Sequence, residues 1–135
     1  GLKVGMNVAV ATPDGYKPDG AVLEFTKGYG DKFALETDPF MAASGADILI
    51  TDTWTSMGEE AEKEERKKIF KDYQINRQLL AAANAGAMVQ HCLPAYRGQE
   101  ITEEVFEEHA DEIFNEAENR LHAQKAVMVK LMKKD

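Results

Sequence analysis

The feature that most constrains the fold is the largely apolar run from Ala46 to Thr51, which polar residues follow at once. A short run of this kind, bounded by polar residues, is typical of a strand that a parallel sheet buries on both faces. Parallel strands need long crossover connections, and helix-like segments flank the run on either side. The run therefore predicts an α/β domain.

Strand-like and helix-like segments alternate along the rest of the chain. Further strands are predicted at Val4 to Ala11, Lys32 to Glu36, Met88 to His91 and Ile113 to Phe114. Helices are predicted from Asp19 to Gly28, Asp38 to Ala43, Glu59 to Lys71, Asn76 to Ala85, Thr102 to Glu108 and Glu118 to Lys133. This order predicts one domain, residues 1–135, with a three-layer Rossmann-like parallel sheet and helices on both faces.

Composition argues against several classes of function. The formal net charge of −8 disfavours a nucleic-acid partner, which needs a basic surface. Apolar runs fall short of the roughly 20 residues that span a bilayer, so no membrane partner is expected. Cys92 is the only cysteine, which excludes an internal disulfide and fits a reducing cytoplasm. The three histidines lack metal-ligand spacing, so we expect no metal and no cofactor.

Polar residues cluster where the predicted strands end. Thr12 follows the first strand, Asp52 follows the run at Ala46 to Thr51, and Cys92 follows the strand that ends at His91. Ligands of parallel α/β sheets bind at the carboxyl ends of the strands. The sequence therefore predicts a ligand crevice at this edge.

Asp52 can receive a cationic group, and the loop from Asp52 to Gly58 can wrap a small ligand. Structural roles fit the same residues. Ser56 and Glu59 have the spacing of a capping box, Asp52 can accept bonds from loop amides, and Trp54 can belong to the core. Both interpretations stay open from the residues alone.

His91 and Cys92 place an imidazole beside a thiol, the components of a nucleophile and its base. Neighbours on a strand point to opposite faces, however, so a Cys–His catalytic pair is poorly supported. Cys92 as a packed small hydrophobe and His91 as a hydrogen-bonded core residue are the structural alternatives.

Arg120 is predicted near the start of the terminal helix, where its planar guanidinium can bind a phosphate or carboxylate. The alternative is an ion pair with Glu116, one turn away. His109 and His122 are interpreted as surface residues of helices.

These clusters, in this order, resemble ornithine carbamoyltransferases. The segment from Asp52 to Gly58 resembles the ornithine loop with its Ser-Met-Gly signature, and His91 to Pro94 is similar to a second hallmark of the family. Glu116 to Met128 resembles the C-terminal helix, and Val8 to Tyr16 a strand and turn of the same domain. The resemblance covers nearly the whole chain.

The resemblance implies the ornithine-binding half of an enzyme of arginine biosynthesis and the urea cycle. Such enzymes transfer a carbamoyl group from carbamoyl phosphate to the δ-amine of L-ornithine, giving citrulline. Carried over residue by residue, Asp52 and Ser56 hold the α-amino end of ornithine and Met57 adds backbone contacts. Cys92 lies near the side-chain amine, the carbonyl of Leu93 binds the carbamoyl nitrogen, and Arg120 binds and polarises the carbamoyl oxygen. Asp52, Cys92 and Arg120 are thus the expected catalytic residues.

The chain departs from the family in what it lacks. Family members are about twice as long, and their Ser-x-Arg-Thr and His-Pro-containing motifs for carbamoyl phosphate do not occur here. A central strand with a Gly-Asp-Gly-Asn-like end is also missing. We therefore expect a chain that is inactive alone, and a rearranged sheet or a homo-oligomer that covers the exposed strand edges.

Three other interpretations stay open. The chain can belong to a carbamoyltransferase for a related amine such as putrescine or an acylated ornithine. It can be a non-catalytic binding module, isolated or engineered. A thiol hydrolase using Cys92 is the weakest alternative, because His91 is not expected to face the sulfur.

Overall fold

A computed structural model describes residues 1–55 and 62–133 of the chain. Four short strands alternate with helices: β1 (Val8–Ala11), β2 (Phe33–Glu36), β3 (Ile48–Thr51) and β4 (Met88–His91). The helices are α1 (Gly20–Thr26), α2 (Pro39–Ala43), α3 (Lys63–Phe70), α4 (Arg77–Leu80), α5 (Glu103–Glu108) and α6 (Ala110–Met132). Short 3-10 turns cover Leu2–Val4, Lys27–Lys32 and Lys71–Tyr73. The predicted α/β class is confirmed.

The strands pair in parallel, as the alternation predicts. β1 pairs with β2, with Val8 opposite Phe33, and β3 pairs with β4, with Ile48 opposite Met88. In the described ranges no ladder joins the two pairs. We call β1 with β2 sheet A, and β3 with β4 sheet B.

Local capping explains where most helices begin. The side chains of Asp19, Asp38 and Asn76 accept hydrogen bonds from the backbone N–H groups of Ala21, Phe40 and Leu79 at 2.7, 2.9 and 2.9 Å. Thr102 caps α5 in the same way, through the N–H of Val105. Such caps satisfy N–H groups that have no partner within the helix, so capping residues in the sequence predict where these helices begin.

Several predicted elements differ from the structure. The strand predicted from Val4 begins at Val8, since Leu2–Val4 form a 3-10 turn, and the helix predicted from Glu118 begins at Ala110. Ile113 and Phe114 lie within α6 and not in a strand, because the side chain of Ile113 is fully buried in the core. Helix α4 ends at Leu80, short of the predicted Ala85, and continues as turns. The start of the predicted helix at Glu59 lies outside the described residues.

The hydrophobic core lies around sheet B. Its buried members come from β3, β4, α5, α6 and the segments between them: Leu49, Ile75, Leu79, Val89, Ile101, Val105, Phe106 and Ile113, with Ala43 of α2. Helix α6 packs on β4. By contrast, no residue of β1 or β2 is buried.

A groove of about 450 Å³ is lined by residues of both β1 and β3. Ala9 and Ala11 contribute from β1, and Ile48 to Thr51 from β3. Each of these strands has one hydrogen-bonded neighbour in the described structure, so one edge of each lacks a ladder. That a central strand is missing stays a prediction. Among the described residues, no helix is long and apolar enough to cross a membrane.

Candidate functional site

Asp52 and Cys92 meet at the carboxyl ends of sheet B. Asp52 directly follows β3 and Cys92 directly follows β4, and both residues are exposed. The Cys92 thiol donates to Asp52 Oδ1, with 3.3 Å between Sγ and Oδ1. The same oxygen accepts the backbone N–H of Thr53 at 2.7 Å. Parallel pairing of β3 with β4 thus brings together two predicted site residues that lie 40 positions apart.

The surroundings of Cys92 keep its thiol protonated. Partial burial of the sulfur raises its pKa although the residue as a whole is exposed, and the hydrogen bond to Asp52 adds to this. The negative charges of Asp52 and Glu116 raise the pKa further. A thiolate nucleophile needs a cationic environment, so this site suits a positively charged ligand better than nucleophilic attack by sulfur.

His91 does not serve Cys92 as a base. Its side chain is completely buried, and its Nδ1 accepts the backbone N–H of Leu93 at 2.9 Å. Its Nε2 lies 3.1 Å from Glu100 Oε1, which is also buried. Both ring nitrogens therefore have partners other than the thiol, which argues against the thiol-hydrolase interpretation.

Asp52, His91 and Cys92 hold potential metal-ligand atoms within 4.8 Å of one another. Their existing bonds compete with such a use. A metal at His91 would displace either the Leu93 N–H or Glu100, and the raised pKa of Cys92 disfavours the thiolate that binds metals. The absence of a metal stays a prediction.

Leu93 forms a tight turn directly after the thiol. Its backbone has φ of 56°, in the left-handed region that non-glycine residues rarely adopt, and the peptide to Pro94 is cis. Positive φ at a bulky residue persists only where the surroundings hold it. The hydrogen bond from the Leu93 N–H to His91 is one such restraint.

Arg120 lies in the interior of α6, exposed, and not near a helix start as predicted. The helix begins at Ala110, because the predicted strand at Ile113 is helical. The argument from a helix N-terminus therefore fails for Arg120. Across residues 1–55 and 62–133, Arg120 forms no ion pair with Glu116. It also forms no hydrogen bond with Asp52 or Cys92 in this part of the chain.

Ser56, Met57 and Gly58, predicted to complete the ornithine loop, lie outside the described residues, as does the capping box of Ser56 with Glu59. Trp54 is half-buried and lines the groove. Its ring stacks on Phe70 with centroids 6.2 Å apart, and its carbonyl accepts from Arg66 at 3.3 Å. The loop after Asp52 therefore leads into an aromatic wall of the groove.

Two acidic residues of the site were not singled out from the sequence. Glu100 contacts His91, and Glu116 acts on Cys92 through its charge. Oε2 of Glu116 is buried and has no hydrogen-bond partner in the described part of the chain. No spacing rule identifies Glu100. The position of Glu116, one turn before Arg120, predicts only an ion pair with that residue.

Comparison with known proteins tests the resemblance directly. A sequence model of the aspartate/ornithine carbamoyltransferase Asp/Orn-binding domain matches residues 1–131. The chain belongs to this family.

Relatives and solved structures agree with the assignment. The ornithine carbamoyltransferase of Gloeobacter violaceus is 56% identical over 134 residues, which cover 96% of this chain and 43% of the relative. That of Nitratiruptor sp. is 52% identical, over 98% of this chain and 44% of the relative. The structure of the anabolic enzyme of Campylobacter jejuni superimposes with a TM-score of 0.87 at 45% identity, covering 92% of this chain and 42% of that one. The chain thus spans less than half the length of the curated relatives it matches.

Proposed function

We propose that this domain is the ornithine-binding half of an ornithine carbamoyltransferase. The δ-amine of L-ornithine attacks the carbonyl carbon of carbamoyl phosphate, the resulting tetrahedral intermediate expels phosphate, and citrulline forms. An enzyme accelerates such a step mainly by positioning the reactants and stabilising charge. Membership of the family and high identity to named ornithine carbamoyltransferases support this proposal.

The observation that carries the proposal is the contact of Asp52, at the end of β3, with Cys92, at the end of β4. The negative charges of Asp52 and Glu116 both act on this thiol. Ornithine carries two amino groups. We propose that Asp52, with Ser56, binds the α-ammonium and that Met57 adds backbone contacts. Cys92, with Glu116 nearby, faces the side-chain amine. Carboxylates attract ornithine in its ammonium form, and the side-chain nitrogen must lose a proton before it attacks the carbonyl carbon. The raised pKa of Cys92 reflects the same negative charges.

The other predicted site residues, Leu93 and Arg120, are assigned to carbamoyl phosphate. We propose that the backbone carbonyl of Leu93 accepts a hydrogen bond from the carbamoyl nitrogen and that Arg120 binds the carbamoyl oxygen. The exposed position of Arg120 within α6 leaves its guanidinium accessible to a ligand. Its planar donor fork suits the developing oxyanion.

Titration calorimetry with L-ornithine tests the proposal, with putrescine as the control. Putrescine has both amino groups and the carbon chain of ornithine but lacks the α-carboxylate, so it measures the binding of a diamine alone. Selective ornithine binding supports the proposal, whereas equal affinity favours a transferase for a related amine. Absence of binding by the folded chain favours the non-catalytic fragment.

We further propose that this chain is catalytically inactive alone, because the carbamoyl phosphate motifs expected for the family do not occur in it. Addition of the missing half, taken from an ornithine carbamoyltransferase, is expected to produce citrulline. Citrulline formed by the 135-residue chain alone would contradict this.

We also propose that another copy of the chain covers the edges of β1 and β3 that line the groove. Unpaired parallel strand edges readily accept a further strand. Sedimentation velocity tests this, and a monomer at all concentrations would contradict it. The unpaired thiol of Cys92 fits a cytoplasmic location.

A further inference from the structure

Glu100 and His91 form a buried pair directly beneath the turn that carries Cys92 and Leu93. Both side chains are 0% exposed. Glu100 Oε1 contacts His91 Nε2 at 3.1 Å and also accepts the backbone N–H of Tyr96 at 2.6 Å. A single carboxylate oxygen of Glu100 therefore bonds to both the His91 side chain and the Tyr96 backbone, which lie at the start and the middle of the segment from His91 to Glu100.

The hydrogen bonds assign the tautomer of His91. Its Nδ1 accepts the Leu93 N–H, so this nitrogen carries no proton. A neutral imidazole then holds its proton on Nε2, which donates it to Glu100. The reverse tautomer would set two N–H groups against each other at Leu93.

We propose that Glu100 is a positioning residue, which orients His91 so that His91 holds the Leu93 turn and sets Cys92 against Asp52. Glu100 is fully buried, and its partners are His91 and the backbone of Tyr96, so its effect on Cys92 and Leu93 passes through the imidazole. This proposal rests on the proposed function in one respect: the groups that Glu100 positions, Cys92 and the Leu93 carbonyl, are those assigned above to ornithine and to the carbamoyl nitrogen.

Three features make this more than core packing. The bond from Nε2 to Glu100 selects the tautomer that leaves Nδ1 free to accept. The Leu93 backbone has a positive φ that needs such a restraint. Cys92 directly precedes Leu93, so the orientation of this turn determines whether its sulfur meets Asp52.

Two substitutions at Glu100 separate positioning from stability. Glu100→Leu removes the acceptor and leaves the His91 and Tyr96 donors buried without a partner. Glu100→Gln keeps an oxygen for both donors, and its amide nitrogen replaces Oε2, which has no partner in the described residues. Val105→Ala is the matched control, because Val105 is equally buried and its side chain has no polar group that could bond to the pair. All three variants are expected to lower stability.

The first readout is the pH dependence of Cys92 alkylation by iodoacetamide, since Cys92 is the sole cysteine. For Glu100→Leu we expect the midpoint to fall by about one pH unit, because the thiol loses Asp52. L-Ornithine binding by calorimetry should weaken roughly tenfold. Glu100→Gln and Val105→Ala should leave both readouts near those of the parent chain.

Nitrogen chemical shifts of His91 give the second readout, with a protonated Nε2 and an unprotonated Nδ1 expected in the parent chain. Should Glu100→Leu fail to fold, Glu100→Asp draws the carboxylate back by one methylene and should shift the alkylation midpoint in the same direction. The proposal is overturned by an Nδ1-protonated His91, by an unchanged alkylation profile in folded Glu100→Leu or Glu100→Asp, or by an equal change in Val105→Ala. If the parent chain binds no ornithine, the proposed function fails, while the alkylation profiles still decide the role of Glu100.

Discussion

Sheets A and B have the same ladder and different surroundings. Each is a parallel pair of four-residue strands. In sheet B, Leu49 and Val89 belong to the buried core and α6 packs on β4, whereas β1 and β2 of sheet A contain no buried residue. Backbone pairing alone therefore does not make a core; the helices and strands that cover the pair do.

The outer edges of the two sheets differ as well. The backbone N–H of Val89 in β4 donates to Glu112 Oε2 of α6 at 2.9 Å, so a side chain occupies that edge. On the opposite side of sheet B, β3 lines the groove, and β1 of sheet A lines the same groove. The side chain of Ile50 in β3 is 70% exposed, which shows how incomplete the cover is on this side of sheet B.

The largest expected difference comes from shortening a leucine in each sheet. Leu49→Ala in β3 should lower the free energy of unfolding by about 3 kcal/mol, because it leaves a cavity in the core. Leu35→Ala in β2 removes a half-buried side chain and should cost about 1 kcal/mol. Urea unfolding measures both. Equal losses would show that sheet A contributes as much core as sheet B.

Hydrogen exchange should separate the sheets next. Amides of β4, under α6, should exchange at least about tenfold more slowly than those of β1, which contains no buried residue. Mass spectrometry of peptides covering each strand measures this. If a second copy covers β1, the protection of the β1 amides should rise with protein concentration. Equal protection of β1 and β4 at all concentrations would contradict the expected difference between the two sheets.

Each sheet is followed by an aspartate, and the two aspartates have different roles. Asp38 follows sheet A and caps α2, so Asp38→Ala should cost about 1 kcal/mol of stability and leave Cys92 alkylation unchanged. Asp52 follows sheet B and holds Cys92, so Asp52→Ala should lower the pKa of the thiol and speed alkylation near pH 8. An unchanged alkylation rate in Asp52→Ala would contradict the assigned contact.

The smallest expected effect is on the pH dependence of stability, and it comes from Glu112, which accepts the N–H of Val89 in sheet B. Burial tends to raise the pKa of Glu112, but hydrogen bonds from His109 and Val89 and the charge of His109 lower it overall. A lowered pKa in the folded state stabilises the protein above the unfolded value of 4.5, and this stability is lost as pH falls through the folded pKa. Unfolding midpoints from pH 7 to 3 should therefore fall less in Glu112→Gln. Identical pH profiles would contradict this.

The elements that the sequence predicted well have local causes. Asp19, Asp38, Asn76 and Thr102 are helix caps, and each acts on a backbone N–H two or three residues away. The segment at Ile113 was predicted wrongly because a β-branched residue beside an aromatic one favours a strand locally. Burial of Ile113 and the edge-to-face contact of Phe114 with Phe106 favour the helix instead.

Local sequence patterns suffice for the α/β class, the helix caps and the polar residues at the strand ends, since these depend on neighbours within a few positions. Only the tertiary structure placed Cys92 against Asp52, buried Glu100 beneath His91 and left a groove between β1 and β3. These features depend on which strands pair and which edges stay open. Contacts between residues far apart in the chain decide that, and no local pattern encodes them.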